Sequence, residues 1–230
     1  MRLLLSIFVV FVSMVSSVYA APHLEVAQDT IDWGHIYAGE QKDGVFTLHN
    51  SGDSALIINR VRSSCGCTAA MMSEKTVQPG ADAQLRVHFN SKHFTGQVVK
   101  RVMVMSNDPA QPQQQFILRA HIVAELVVTP NHLSLRSIQI GEKLVRSLTL
   151  ENRSDVPVQL KAVRSTSAAI RLDAVPKELQ PSEKVAVQLK VTGPDKAGTT
   201  INGYLLIDAQ GHTRTQMRLP IVARVAKQKN

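Results

Sequence analysis

The chain has 230 residues, 44% of them hydrophobic and 19% charged, and a formal net charge of +8. Beyond its first twenty residues no stretch approaches the roughly 18 apolar residues of a transmembrane helix, which excludes a membrane-spanning body. It has two cysteines, so a single intramolecular disulfide is the most it can form.

The chain opens with Arg2, an almost unbroken apolar run from Leu3 to Val12, and small and polar residues through Ser13, Ser16 and Ser17. Val18-Tyr19-Ala20 fits the small-x-small rule for signal-peptide cleavage, placing the cut between Ala20 and Ala21. The apolar run is too short for a good membrane span, and no cysteine follows the cut to carry a lipid anchor. The expectation is a periplasmic or secreted protein, not membrane-spanning. Its mature chain of about 210 residues is enough for one large domain or two ordinary ones.

From Val45 to His49 apolar and polar residues alternate, ending at the turn Asn50-Ser51-Gly52-Asp53. Ala55 to Val61 reads as the next strand, followed by Ser64-Cys65-Gly66-Cys67-Thr68, which holds both cysteines. Gln78-Pro79-Gly80 is a turn before the clean alternation of Leu85 to Phe89. Val98 to Met105 and Phe116 to Val123 are the remaining strands of this half, separated by Ser106-Asn107-Asp108-Pro109.

The pattern then recurs at an offset of 102 residues. Gly39-Glu40 matches Gly141-Glu142, Asn50 matches Asn152, Val61-Arg62-Ser63 matches Val163-Arg164-Ser165, and Gln78-Pro79 matches Gln180-Pro181. Near the ends, Gln115 and Leu118 match Gln216 and Leu219 at an offset of 101. Strands are predicted at Ser147–Leu150, Val156–Val163, Val185–Val191, Tyr204–Ile207 and Gln216–Val225. This is a tandem duplication of units of about 100 residues, an ordinary domain size. The predicted division is a signal peptide at 1–20, a domain with the Cys-Gly-Cys motif at 21–125, and a second domain without cysteines at 126–230.

About seven short strands per unit, with no long 3.6-residue apolar stripe, predict an all-β fold of two tandem immunoglobulin-like β-sandwich domains. Trp33 is the only tryptophan, and no Cys…Trp…Cys spacing exists, so no inter-sheet disulfide is expected. Charge divides unevenly: residues 24–125 carry 9 Lys+Arg and 10 Asp+Glu, residues 126–230 carry 16 and 8. The basic second unit could face an anionic surface. In an exported protein that means acidic lipid, polysaccharide or protein rather than nucleic acid.

The first unit closely resembles the bacterial family named domain of unknown function 1573. The residues that carry the resemblance are Phe46, Asn50-x-Gly52-Asp53, Leu56-Ile57-Ile58, Val61, Ser64-Cys65-Gly66-Cys67-Thr68, Pro79-Gly80, Phe89, Gly96, Lys100 and Ser106-Asn107. The resemblance spans roughly residues 34–123 and implies an immunoglobulin-like fold akin to ciliary Hydin-type domains and pilus chaperones. It implies no activity. The second unit departs from it at the motif, with Ser167-Ala168-Ala169 in place of Cys65-Gly66-Cys67.

Three roles for Cys65 and Cys67 follow from chemistry. In an extended strand their Cα atoms would lie about 6.6 Å apart, from a rise of about 3.3 Å per residue. A disulfide therefore needs a turn, which Gly66 permits. Such a small ring would be strained and reducible, which suits a redox role, although no His or Lys in the motif activates a thiol. Left extended, both thiols face one way and could hold Cu(I), with Met71 and Met72 as further soft ligands. The third role is structural: a local disulfide, or small residues packed at a strand end.

No Gly-x-Ser-x-Gly, His-Glu-x-x-His or phosphate-cradling loop is present, and Asp29 and Asp32 read as the start of a strand. No catalytic residue and no cofactor are expected. The function predicted is a non-enzymatic periplasmic binding or assembly protein that meets envelope proteins through sheet edges and loops. The alternative is a thiol-based redox or Cu(I)-binding factor using Cys65 and Cys67. By analogy with pilus chaperones, Arg or Lys in the cleft between the domains would anchor a partner's carboxylate.

Overall fold

A computed structural model describes residues 20–196 and 198–226. Residues 1–19 of the predicted leader lie outside that range. Alternating apolar residues and Gly/Pro/Asn turns build eighteen strands and no helix among the described residues. In the first half these are β1 (Leu24–Glu25), β2 (Thr30–Tyr37), β3 (Gln41–Asn50), β4 (Leu56–Ser63), β5 (Thr68–Met72), β6 (Thr76–Val77), β7 (Asp82–Asn90), β8 (Gly96–Ser106) and β9 (Gln113–Val123). In the second they are β10 (Leu126–Thr129), β11 (Leu133–Ile138), β12 (Lys143–Asn152), β13 (Val158–Ser165), β14 (Ile170–Asp173), β15 (Glu178–Leu179), β16 (Lys184–Thr192), β17 (Thr200–Gln210) and β18 (Arg214–Val225).

The sheets repeat position for position. Orders β1-β3-β7-β5 and β2-β9-β8-β4-β6 recur as β10-β12-β16-β14 and β11-β18-β17-β13-β15. Pairs are antiparallel except β2 with β9 and β11 with β18, which are parallel. Inward-facing residues of both sheets fill each core. Phe46, Leu48, Leu85, Val102 and Phe116 lie in the first, and Leu148, Leu150, Leu189, Leu205 and Leu219 in the second.

The register corrects one sequence match. Val102 pairs with Phe116 and Leu205 with Leu219, which sets β9 and β18 at an offset of 103, not 101. Two residues is one pleat repeat, so either alignment keeps the apolar side chains on the same face, and pattern alone does not separate them.

One buried asparagine pins the same corner of each half. Asn50, 0% exposed, donates through Nδ2 to the carbonyls of Ser54 (2.8 Å) and Val77 (2.9 Å). Asn152, also 0% exposed, donates to Val156 (2.8 Å) and Leu179 (3.0 Å). The sequence showed these as turn residues, whereas the structure makes them buried ties between sheet and loop.

Candidate functional site

The Cys-Gly-Cys motif forms the loop that carries the chain from β4 in one sheet to β5 in the other. Cys65 and Cys67 are bonded to each other, with Cα atoms 5.3 Å apart, closer than an extended strand allows. Five hydrogen bonds shape this loop. Ser63 Oγ donates to Cys65 O (2.9 Å), Ser64 N to Arg101 O (2.9 Å), and Arg101 N to Ser64 Oγ (3.1 Å). Thr68 N donates to Cys65 O (3.4 Å) and Asn90 N to Cys67 O (3.1 Å).

The second half makes the same five bonds without sulfur. Ser165 Oγ donates to Ser167 O (3.1 Å), Thr166 N to Tyr204 O (2.9 Å), and Tyr204 N to Thr166 Oγ1 (2.9 Å). Ile170 N donates to Ser167 O (3.1 Å) and Thr192 N to Ala169 O (2.8 Å). Ala169 packs against the second core where Cys67 packs against the first. These shared backbone and hydroxyl hydrogen bonds, not the sulfurs, therefore define the turn.

Gly66 behaves differently from the sequence expectation. It does not adopt a positive φ, unlike Gly39, Gly80 and Gly96. A Cβ built on it would meet nothing within 4 Å. The turn thus makes no demand for glycine. Both cysteines are half-buried. Cys67 packs against the buried cluster of Ile36, Phe89, Ala120 and Ile122, while Cys65 is not among the residues packed against it. Trp33 stacks on Phe89 at 5.8 Å, and the Lys100 ammonium sits 4.0 Å over Phe94. The Thr68 hydroxyl, 2% exposed as a residue, lies 3.7 Å from Cys65 Sγ and 3.9 Å from Cys67 Sγ, placed to donate to either.

The motif runs directly into β5, the outer strand of its sheet. Cys67 O accepts from Asn90 N and Ser73 N donates to Gln84 O, so the odd-numbered residues between them turn their polar groups toward β7. Ala70 and Met72 then turn theirs to the open edge. Met71 stands 74% exposed on the outer face, in one cross-strand row with Arg86 and Val45. Met72 points the other way, into the core. The Cu(I) set of Cys65, Cys67, Met71 and Met72 therefore does not converge: strand alternation separates the methionines, and the sulfurs are spent on each other. His88 and His49 are held by Asp43 and Asp82, each at 2.7 Å. Asp29 and Asp32 accept local bonds from Thr30 Oγ1 and Gly34 N at the start of β2. No cluster of three or more metal-ligating His, Cys, Asp or Glu occurs among the described residues.

Sequence reasoning missed a polar joint between the halves, because its members lie far apart in the chain. Glu125, 3% exposed, accepts from His212 N (2.7 Å), Thr213 N (3.0 Å) and Thr213 Oγ1 (2.8 Å). Thr213 Oγ1 is also 2.9 Å from Ala38 O, and Gly39 beside it has φ +98° with Thr213 3.3 Å from where a Cβ would stand. Tyr37 stacks on His212 at 4.6 Å and donates to Asp155 Oδ1 (2.9 Å), which also meets His212 Nε2 (2.6 Å). That contact raises the His212 pKa above its ordinary 6.5. The His212 bond, then the Tyr37 hydroxyl, lowers that of Asp155. Burial, then Asp155, raises that of Tyr37. The joint is thus built of carboxylates and a histidine, and the nearby Lys42 is bound to Glu40 at 2.7 Å.

With this geometry in place, the chain can be set beside known proteins. Residues 24–122 match the family described as "Protein of unknown function (DUF1573)". The matched segment runs from β1 through all but the last residue of β9 and includes the Cys-Gly-Cys loop. No curated protein matches the sequence. Among solved structures, a protein of unknown function from Porphyromonas gingivalis W83 is 12% identical, covering 87% of this chain and 99% of that one, with a TM-score of 0.38. PapD-like domain 7 of human CEP192 is 11% identical, covering 52% of this chain and 98% of that one, TM-score 0.38. The YadV chaperone is 10% identical, covering 86% of this chain and 98% of that one, TM-score 0.33. At these identities the likeness is one of β-architecture alone.

Proposed function

We propose that this chain is an exported, non-enzymatic binding protein whose first β-sandwich captures an extended segment of an envelope protein by adding it to the edge of β5. The observation that carries this reading is a difference between two equivalent edges. An open sheet edge is a template for pairing, and proteins guard such edges with charge or proline. The β14 edge is guarded by Arg171 and Asp173. The β5 edge reads Thr-Ala-Ala-Met-Met, with neither charge nor proline. A five-residue uncharged strand with outward backbone groups supplies main-chain affinity, and exposed Met71 supplies an adaptable apolar contact.

Transferring the guard tests this. Ala69 and Met71 are exposed, so the variant A69R/M71D should fold normally and lose the partner in a cross-linked pull-down from native envelopes. Backbone amides of Ala70 and Met72 should exchange with deuterium quickly in the free chain and slowly in the complex. Undiminished capture by A69R/M71D would sink the reading, and a concentration-dependent dimer of the free chain would assign the edge to self-association instead. N-terminal sequencing of the natural product should begin at Ala21.

A further inference from the structure

We infer that Cys65–Cys67 is a thiol–disulfide exchange site, with Cys65 the sulfur attacked and Cys67 the sulfur released, and that its substrate is a protein thiol presented on the segment docked along β5. The choice of partner rests on the strand-capture reading; the chemistry does not.

Three independent features point here. The loop keeps its five hydrogen bonds in the half that has no cysteines, so opening the disulfide leaves the turn intact. Gly66 has neither a positive φ nor a neighbour that a side chain would strike. Folding therefore does not require it, whereas exchange needs access to the disulfide, and Gly66 between the two cysteines carries no side chain to obstruct it. Finally, the sulfurs are unequal. Cys67 packs against the buried cluster that holds Phe89 and Ile122, and Cys65 does not, so Cys65 is the reachable end.

The step balances within the two chains. The partner's thiolate attacks Cys65 Sγ, forming a mixed disulfide as the Cys65–Cys67 bond breaks. The electron pair of that bond leaves on Cys67 Sγ. Thr68 Oγ1, buried 3.9 Å away, donates a hydrogen bond to the new thiolate, which later takes a proton from water. The mixed disulfide reverses when Cys67 attacks Cys65 and releases the partner unchanged. Alternatively, a second thiol of the partner attacks its bonded sulfur, so that the partner leaves oxidised and the chain is left as a dithiol. Docking along β5 brings the partner segment alongside the loop, because Thr68 is both the first residue of the edge and the last of the motif.

Purified full-length protein and a small thiol test the chemistry without any docking. Native protein treated with dithiothreitol should yield two alkylatable thiols while Trp33 fluorescence stays native. With oxidised glutathione, Cys67→Ser should take up one glutathione on Cys65 faster than Cys65→Ser takes one up on Cys67. Gly66→Val should keep its stability and lose most of the exchange rate. Thr68→Val should raise the pH midpoint of Cys67 alkylation in the reduced protein, a shift that a merely structural threonine would not produce. A disulfide that opens only in denaturant overturns the proposal, as do equal or reversed rates for the two single variants. If glutathione exchange behaves as stated and no protein is trapped by Cys67→Ser, the strand-capture reading fails and the exchange site stands.

Discussion

Grafting Ser167-Ala168-Ala169 onto the first half, as C65S/G66A/C67A, isolates what the disulfide contributes to stability. The chain-entropy model gives a three-residue ring only about 1.6 kcal/mol at 25 °C, against about 3 for a fifteen-residue loop. Gly66 has no positive φ and open space where a Cβ would be placed, so its change to Ala should return about 0.4–1 kcal/mol by restricting the unfolded chain. Ala169 already packs against the second core in the place of Cys67, so the smaller side chain is tolerated there. The net loss is then about 0.6–1.2 kcal/mol. The assay is urea unfolding followed by the fluorescence of Trp33, which stacks on Phe89 beside the loop and, as the only tryptophan, reports on this half alone. With an m-value of about 2 kcal/mol/M, the midpoint should fall by roughly 0.5 M with an unchanged slope. A loss of about 3 kcal/mol or more, or a flattened transition, would show that the loop depends on its sulfurs and that its hydrogen bonds do not suffice.

Three further outcomes follow from the structure. The His212–Asp155 contact should steady the joint between the halves only in a pH window. Asp155, depressed, loses its part as pH falls through its folded pKa, and His212, raised, loses its part as pH rises through a value above 6.5. Calorimetry should therefore find stability in the natural chain falling as pH rises from 6.5 through the raised His212 pKa, where Tyr37, Glu40 and Glu125 also face the ring. His212→Gln should flatten that dependence, and an unchanged profile would refute it. Glu125→Gln turns one accepting oxygen into a donor against the backbone N–H of His212 or of Thr213, and should cost about 2 kcal/mol and split a single calorimetric transition into two. Asn50→Leu and Asn152→Leu should each cost about 3 kcal/mol or more by stranding buried carbonyls, measured by urea unfolding. A loss under about 1 kcal/mol in either would mean that water replaces the amide.

Alternation made the central strands legible: Leu85 to Phe89 shows β7 because one face is core and the other solvent. The duplication was legible because buried positions and turn residues recur together. β2 was legible only at its start, by Asp29 and Asp32, because the register shift between Asp32 and His35 breaks the period there. β5 was missed because Ala69 to Met72 has no polar residue to mark an outer face, and the one polar residue of the strand, Thr68, is buried. The site itself was half legible. Its residues and the need for a turn were readable from spacing, whereas the ordinary φ of Gly66 and the unequal packing of the two sulfurs depend on β7, β8 and β9. The joint was not legible at all, since Tyr37 and Asp155 lie 118 residues apart and Ala38 and Thr213 lie 175 apart. No local pattern marks a hydrogen bond across such distances.

The two halves amount to a controlled comparison made on one scaffold. They share sheet order, buried asparagine and loop hydrogen bonds, and they part company at one corner. There the first half has Cys65, Cys67 and an uncharged edge, and the second has Ser167, Ala169 and an edge carrying Arg171 and Asp173. On the adjoining face, Asp43 with His88 gives way to Val145 with Lys190. Had the thiols been a requirement of folding, the loop bonds would not have survived their loss, and all five do, joined by one more from Ser167 N to Ser165 Oγ (3.1 Å). If the bare edge serves docking, the sulfurs and the uncharged strand should lie in the same half, and they do. The two differences fit one cause: a disulfide whose protein partner docks on the neighbouring edge loses that partner where charge guards the edge.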